Sequence, residues 1–395
     1  MKICIVSFYF PPEKGAASNR IWGMAKSLLN QGNEVTVLCP HPNYPTGKIF
    51  GGYGSSLIEN CTLEGVHVRR HWLYASNSKS GSIRLLSMLS FSLMLFLSLP
   101  FLIKKKPSVF IVNSPPLFTG VTGVILSKLL KAKCVLNISD LWPRSALELG
   151  AIKEGKVYGL LIKLERWMYQ KAHLIMTQSE ESKSYIQNEV PNKEILVYRN
   201  LPPYINHINL KKDRVPLKIV YAGLLGVAQG VFNLIRNVDF KSLNAELHIY
   251  GDGNEKQDIL EYISKSKDCK IFYHGFIPAS DLVEVLPNFN ASLIPLISSI
   301  YGAFPSKIFS SMNFGLPILF SGSGEGKIFV ETHKIGLTND PGDYHTLSNN
   351  IITLQNMGQE DYLSIKKQER HLMQTKFAAE EQIIQLITHL NNLVQ

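Results

Sequence analysis

Cysteine is scarce in this chain and never closely paired. Its five cysteines, Cys4, Cys39, Cys61, Cys134 and Cys269, include no CxxC. That spacing offers neither a zinc site nor a disulfide framework. Cys4 and Cys39 fall inside apolar strand-like runs, where a reduced, buried thiol is ordinary. Low-complexity tracts and short internal repeats are also missing. So is the pattern of a secretory leader: Ile3–Phe10 is short, β-branched and aromatic, and stops at Pro11-Pro12 as a buried first strand would. A reducing, cytoplasmic setting is therefore expected, with the Asn-x-Ser/Thr triplets at Asn60, Asn137 and Asn290 as chance matches.

With 395 residues, 45% of them hydrophobic, and a mean hydropathy near zero, the chain has enough material for two cored domains. Its net charge of +10 is unevenly placed. Residues 1–200 carry 24 Lys and Arg against 12 Asp and Glu; residues 201–395 carry 17 against 19. A basic first half suits nucleic acid or an anionic membrane surface. No basic stripe interleaved with aromatics and no nucleic-acid motif is present, so the membrane surface is the expected partner.

Apolar strand-like runs alternate with helical ones throughout. Strands are predicted at Ile3–Phe8, Val35–Cys39, Val66–Arg70, Val109–Val112, Cys134–Ile138 and Leu174–Thr177 in the first half. In the second they fall at Leu217–Ala222, Ala245–Tyr250, Lys270–His274, Ala291–Ile294 and Pro317–Ser321. Such alternation implies parallel, doubly wound sheets. Asn200-Leu-Pro-Pro-Tyr204 reads as a linker, and Ala378–Leu393 as one amphipathic helix.

Leu85–Ile103 runs for 19 residues without a charge, between Arg84 and Lys104-Lys105-Lys106. As a helix it would be ~28 Å long, close to the ~30 Å hydrocarbon thickness of a bilayer. Spanning is excluded by topology, because Val66–Arg70 and Val109–Val112 should pair in one sheet. Two arrangements remain: a crossover helix buried on the sheet, or a helix, broken near Pro100, that lies in the bilayer interface with its basic flanks among headgroups. The second is favoured, because the only polar face available is one of serines; Leu89, Leu93 and Phe96 are expected to face lipid.

The stretch Tyr221-Ala-Gly-Leu-Leu-Gly-Val-Ala-Gln-Gly230 joins an apolar run to a helical one through glycines. That arrangement aims free N–H groups and a helix dipole at one point, the makings of an anion site. Tyr250-Gly251-Asp-Gly253 supplies a second tight turn. In Pro305-Ser306-Lys307 a lysine begins a helix where a phosphate would sit, and Ser321-Gly-Ser-Gly324-Glu325-Gly adds a nest-like loop. Phe10-Pro-Pro-Glu-Lys-Gly15, with Arg20 behind it, forms a comparable turn near the N-terminus.

In this order the motifs resemble those of family 4 glycosyltransferases of the GT-B fold. Gly65-Val-His-Val-Arg69 and Asn113-Ser-Pro-Pro116 sharpen that resemblance, and Asn43-Tyr44-Pro-Thr-Gly47 and Asp140-Leu-Trp142-Pro143 resemble the branch that includes bacterial N-acetyl-L-fucosaminyltransferases of O-antigen and capsule assembly. The resemblance implies two Rossmann-like doubly wound domains facing across a cleft: residues 1–203, completed by a C-terminal helix at 378–395 that crosses back, would hold the acceptor, and residues 204–377 the nucleotide sugar. It also implies a UDP-sugar donor, a polyprenyl-diphosphate-linked acceptor, retention of anomeric configuration, no required metal, and a place on the cytoplasmic face of the inner membrane.

By that resemblance the donor contacts are Gly223, Gly226, Gln229, Gly230, Gly251, Gly253, Ile277, Ser306, Lys307, Gly324 and Glu325. Lys307 and Asp140 are the catalytic candidates, the lysine to stabilise the departing diphosphate and Asp140 to orient acceptor or sugar. Gly15, Arg20, Asn43, Tyr44 and Trp142 are the acceptor-side candidates. The chain departs from the family pattern at three places. Gln229 stands where many members have Lys or Arg, Gly302 and Ser310 where many have two glutamates, and Arg144 where this branch often has Glu. Those departures keep a second function in view, a catalytically silent glycosyltransferase-like partner in a polysaccharide assembly complex. A third, a nucleotide-sugar 2-epimerase, gives no use to an apolar surface segment.

Overall fold

The computed structural model describes residues 1–78, 80–205, 214–266, 268–278, 281–297 and 300–395. It divides into two compact units: Met1–Asn200 with Tyr301–Ala303 and Gln382–Gln395, and Leu201–Ile300 with Phe304–Glu381.

In the first unit the chain runs β1 (Lys2–Val6), α1 (Ala16–Asn30), β2 (Glu34–Pro40), β3 (Ile58–Leu63), β4 (Val66–His71), α2 (Gly81–Met94), α3 (Leu99–Lys105) and β5 (Val109–Ser114). It continues through α4 (Leu117–Leu129), β6 (Lys133–Ile138), α5 (Arg144–Glu148), α6 (Lys156–Lys171), β7 (Leu174–Thr177), α7 (Glu180–Glu189) and β8 (Ile195–Val197). The strands form one sheet in the order β3-β4-β2-β1-β5-β6-β7-β8, parallel except that β3 runs antiparallel to β4. β1 and β5 are buried on both faces, which is why they read as unbroken apolar runs.

The second unit holds β9 (Leu217–Ala222), α8 (Val231–Asn237), β10 (Ala245–Tyr250), α9 (Lys256–Lys265), β11 (Ile271–Gly275), α10 (Leu282–Val285) and β12 (Ala291–Pro295). After them come α11 (Lys307–Asn313), β13 (Ile318–Ser321), α12 (Glu325–His333), β14 (Gly336–Asn339), α13 (Tyr344–Asn356) and α14 (Gln359–Gln374). Its sheet is wholly parallel, in the order β11-β10-β9-β12-β13-β14. That is the Rossmann order, with its topological switch point between β9 and β12. The last helix, α15 (Ala379–Val394), lays Ile383, Leu386 and Leu390 into the first unit's core beside Ile5, Ile21 and Leu28.

Three strands escaped the sequence reading. β3 is largely exposed and polar, β8 is three residues long, and β14 is four residues without a strong apolar alternation. None has the patterned burial by which a strand announces itself.

The apolar segment is broken: α2 and α3 are joined by a 3₁₀ turn at Leu95–Ser98, just ahead of Pro100. Its serines do not form an outer polar face. Ser87, Ser92 and Ser98 are buried, and Ser98 Oγ takes hydrogen bonds from Arg69 Nε at 2.8 Å and shares one with His71 Nε2 at 2.6 Å. Phe91, Leu95 and Leu102 anchor the segment in the core, and Phe96 packs there too. The residues facing outward are Leu85, Leu86, Leu93, Leu97 and Ile103, with Leu93 at 68% exposure. The segment is thus inside-out in part: Ser87, Ser92 and Ser98 lie toward the protein beside Phe91, Leu95 and Leu102, while Leu85, Leu86, Leu93 and Leu97 face the surroundings.

Candidate functional site

In the second unit, strand alternation along β9 turns Leu217, Ile219 and Tyr221 to one face and Val220 and Ala222 to the other. Tyr221 is buried, and its hydroxyl donates to the carbonyl of Leu224 inside the glycine turn. Lys307, the first residue of α11, donates from its Nζ to the Tyr221 hydroxyl oxygen at 3.0 Å and sits over the ring at 4.1 Å from the centroid. A β-carbon on Gly223 would overlap this ammonium. Glycine there is the condition for Lys307 to reach the turn.

The neighbouring glycines are demanded by backbone contact. A side chain on Gly251 would strike the carbonyl of Gly223, and one on Gly253 the carbonyl of Leu225. Backbone bonds lock the two turns together: Gly223 N donates to Tyr250 O at 2.8 Å, Leu225 N to Asp252 O at 2.9 Å, and Glu255 N to Leu225 O at 3.0 Å. Gly226 closes the turn by accepting from Gln229 and Gly230, and Gly230 (φ 61°) opens α8. Gln229 contributes no charge, and its Oε1 is buried without a partner. Ile277 is half-buried and lies two residues beyond β11, the strand next to β10 in the sheet. Ser306 and Gly324 stand at the starts of α11 and α12, and Glu325 is the first residue of α12.

Among the described residues no carboxylate pairs with Lys307. The residue as a whole is half-buried, but desolvation of its ammonium pulls its pKa from 10.5 down to about 7. Such a lysine is poised to take up a proton when an anion arrives. Its place, beside the carboxyl end of β9 at the switch point, is where doubly wound sheets bind ligands.

In the first unit, Glu13 organises the segment after β2. Its Oε1 accepts from the backbone N–H groups of Asn43 at 2.7 Å and Tyr44 at 2.9 Å. Asn43 is itself buried, its amide donating to His41 O at 3.0 Å, so its side chain serves the loop. Tyr44 is 45% exposed and meets Tyr9 edge-on at 5.6 Å, while Gly15 lies beneath its ring. Arg20 is placed elsewhere: its Nε is buried and unpaired near Tyr198, and burial pulls its pKa down to about 10.

Asp140 follows β6. Its Oδ2 accepts from Ser145 Oγ at 2.9 Å, whereas Oδ1 is buried without a partner, and desolvation raises its pKa. Trp142 is half-buried against the core. Nearby, Arg144 stacks on Tyr301 at 4.0 Å, and Glu148 accepts from Tyr301 N at 3.1 Å. Position 302 has no room for a carboxylate. Gly302 has φ 83°, its carbonyl takes hydrogen bonds from Ser179 and Ser182, and a β-carbon would collide with Ser182 Oγ.

Sequence reasoning missed Tyr221 as the partner of Lys307 and Glu13 as the brace of the Asn43–Tyr44 loop. Tyr221 reads as an ordinary core residue by alternation, and only packing shows where its hydroxyl ends. It also missed Glu165, buried on α6, which takes a 2.6 Å hydrogen bond from Tyr169 and whose pKa burial pushes up to about 8.

Two α/β units built on largely parallel sheets, one with a lysine closing a glycine-rich switch-point turn, give the chain the GT-B fold. Residues 15–200 match the glycosyl transferase 4-like domain, and residues 216–356 match the glycosyl transferases group 1 model. The chain thus matches these two glycosyltransferase domain models in that order. It is 27% identical to the putative colanic acid biosynthesis glycosyl transferase WcaI of Escherichia coli (strain K12), over 60% of this chain and 62% of that protein. The chain thus matches a little under two thirds of the length of that curated relative.

Among solved structures, sucrose-phosphate synthase from Thermosynechococcus elongatus superposes with a TM-score of 0.74 at 13% identity, covering 99% of this chain and 98% of that one. HepE from Anabaena, solved in complex with UDP, gives 0.71 at 14%, covering 99% and 100%. At these identities the likeness is one of fold.

Proposed function

We propose that this protein transfers a sugar from a UDP-sugar to a polyprenyl-diphosphate-linked saccharide in capsule or O-antigen assembly, with retention of configuration, on the cytoplasmic face of the inner membrane. The donor sugar proposed is N-acetyl-L-fucosamine or a similar amino sugar, on the strength of the Asn43–Gly47 and Asp140–Pro143 motifs. The observation that carries the reading is the Lys307–Gly223 closure: an ammonium without a carboxylate partner among the described residues, at the turn that a nucleotide diphosphate would enter. The UDP bound in HepE and the colanic acid context of WcaI support the donor class and the setting.

In this reading, cleavage of the sugar–phosphate bond leaves negative charge on the diphosphate. Lys307 and the backbone N–H groups of the glycine turns stabilise it, the lysine supplying the cation that Gln229 does not. The acceptor hydroxyl attacks the face the diphosphate leaves and gives up its proton to that phosphate, with Asp140 orienting it. The inside-out α2–α3 segment supports membrane attachment, because outward leucines flanked by lysines suit the headgroup boundary.

Radiolabelled UDP-N-acetylhexosamines, incubated with the full-length protein and synthetic polyprenyl-diphosphate saccharides, test the reading. Lipid-dependent transfer that is lost in Lys307→Ala is the expected result. Tight nucleotide binding with no transfer to any such acceptor would overturn it in favour of a silent binding partner.

A further inference from the structure

The α2/α3 side of the first sheet carries an unusual patch at its β3–β4 edge. The registers Asn60↔Arg69, Thr62↔His67 and Thr36↔His67 put these five polar residues on one face. A doubly wound sheet ordinarily buries that face under a helix. Here α3 ends at Lys105, and a cavity of about 220 Å³ remains between this face, Phe101 and Lys105. That is room for an organic group, since one water occupies about 30 Å³ of liquid.

Arg69 dominates the cavity. Its Nε donates to Ser98 Oγ and its Nη1 to Asn60 Oδ1, both at 2.8 Å, and the guanidinium stacks 4.7 Å from the centre of Phe101. These partners are neutral. Two of its five N–H groups are thereby held, and the fork is fixed in direction with others left to grip a ligand. Lys105 is neutralised by Glu34 at 2.9 Å, and among the described residues no carboxylate pairs with Arg69; Lys104 and Lys106, on either side of Lys105 in the chain, are exposed. A rigid, uncompensated guanidinium in a polar cavity selects phosphate or carboxylate. The same α2–α3 segment turns Leu86, Leu93, Leu97 and Ile103 outward, and one of these, Ile103, immediately precedes the lysines.

We propose that this cavity binds the phosphate headgroup of an anionic phospholipid, as a site separate from the nucleotide-sugar and acceptor residues; it rests on the interfacial reading of α2–α3. Arg69 takes the phosphodiester, and Asn60, Thr62 and Thr36 bind the headgroup's polar oxygens. The lipid would hold the first unit at the headgroup boundary, where the leucines alone give apolar attachment without preference for charge.

The test uses the full-length protein and dihexanoyl-phosphatidylglycerol below its micelle concentration, measured by calorimetry. Wild type is expected to bind. Asn60→Asp, which sets a carboxylate on Arg69 with no change of shape, is expected to weaken binding at least tenfold while leaving UDP affinity unchanged. Arg69→Gln is expected to do the same, and Asn60→Asp keeps the test open if that variant fails to fold. Absence of binding in wild type, or wild-type affinity in the folded variants, would overturn the proposal. Inorganic phosphate binding as tightly as the lipid would overturn its assignment to a lipid. Flotation of Leu86→Gln/Leu93→Gln/Leu97→Gln on phosphatidylcholine vesicles, with and without phosphatidylglycerol, tests the interfacial reading separately: unchanged flotation sinks that reading, whereas unchanged headgroup affinity in Asn60→Asp sinks only the cavity.

Discussion

Lys307 Nζ donates to the hydroxyl of Tyr221 across 3.0 Å, although 86 positions separate the two residues. The bond holds the ammonium against an aromatic ring and a glycine turn, away from water, and that desolvation makes its charge conditional.

The sign of the resulting pH dependence is fixed. The folded-state pKa of about 7 lies below the ordinary 10.5, so between those values the folded apoprotein binds fewer protons than the unfolded chain. This residue's contribution to stability therefore rises with pH across that window. A bound diphosphate favours the ammonium, so UDP affinity should fall as pH rises above 7, approaching tenfold per pH unit. Calorimetric titration of UDP from pH 6.5 to 9 checks this, and Lys307→Met should abolish the slope.

Gly223→Ala is expected to displace the Lys307 ammonium and also to strain a backbone held at φ 152°. UDP affinity should drop more than tenfold and the melting temperature should fall as well, whereas Lys307→Met should lose the affinity without the backbone strain. Gly251→Ala, whose β-carbon meets backbone, should instead destabilise the unit by at least about 2 kcal/mol in denaturant unfolding.

Glu13 braces the Asn43–Tyr44 loop through two backbone N–H groups. Glu13→Ala should cost roughly 2 kcal/mol and accelerate hydrogen exchange at those two amides. Glu13→Gln retains an acceptor oxygen and should protect both amides nearly as well as wild type.

Glu165 has its pKa raised from 4.5 to about 8 by burial. Between those values the folded chain holds a proton that the unfolded chain has released, so this residue makes stability fall as pH rises through the window. Glu165→Gln keeps an acceptor for Tyr169 and removes the titration. Its melting temperature should exceed that of wild type at pH 8.5, with the gain vanishing below pH 4.5.

Outward leucines on α2–α3 predict that Leu86→Gln/Leu93→Gln/Leu97→Gln will remain folded, since these side chains are exposed in the first unit. Circular dichroism should be unchanged while vesicle flotation is lost. Phe96→Gln would confuse the result, because Phe96 packs against the core.

The alternation of strands and helices was legible from residue order alone, because a strand buried on both faces must be a short apolar run, and β5, β7 and β9 are such runs or close to them. Residue order also showed where the glycine turns lie, since Gly223, Gly251 and Gly253 mark the ends of β9 and β10 whatever surrounds them. It could not show that Tyr221 receives Lys307, that Glu13 holds the Asn43 loop, or that the serines of α2–α3 point inward. Those are contacts between residues distant in sequence, or between the two faces of one helix, and periodicity fixes which residues share a face without saying which face meets the sheet. Tertiary packing chose that face, and in doing so it turned an apolar run into an outward-facing stripe and left Arg69 in an open cavity.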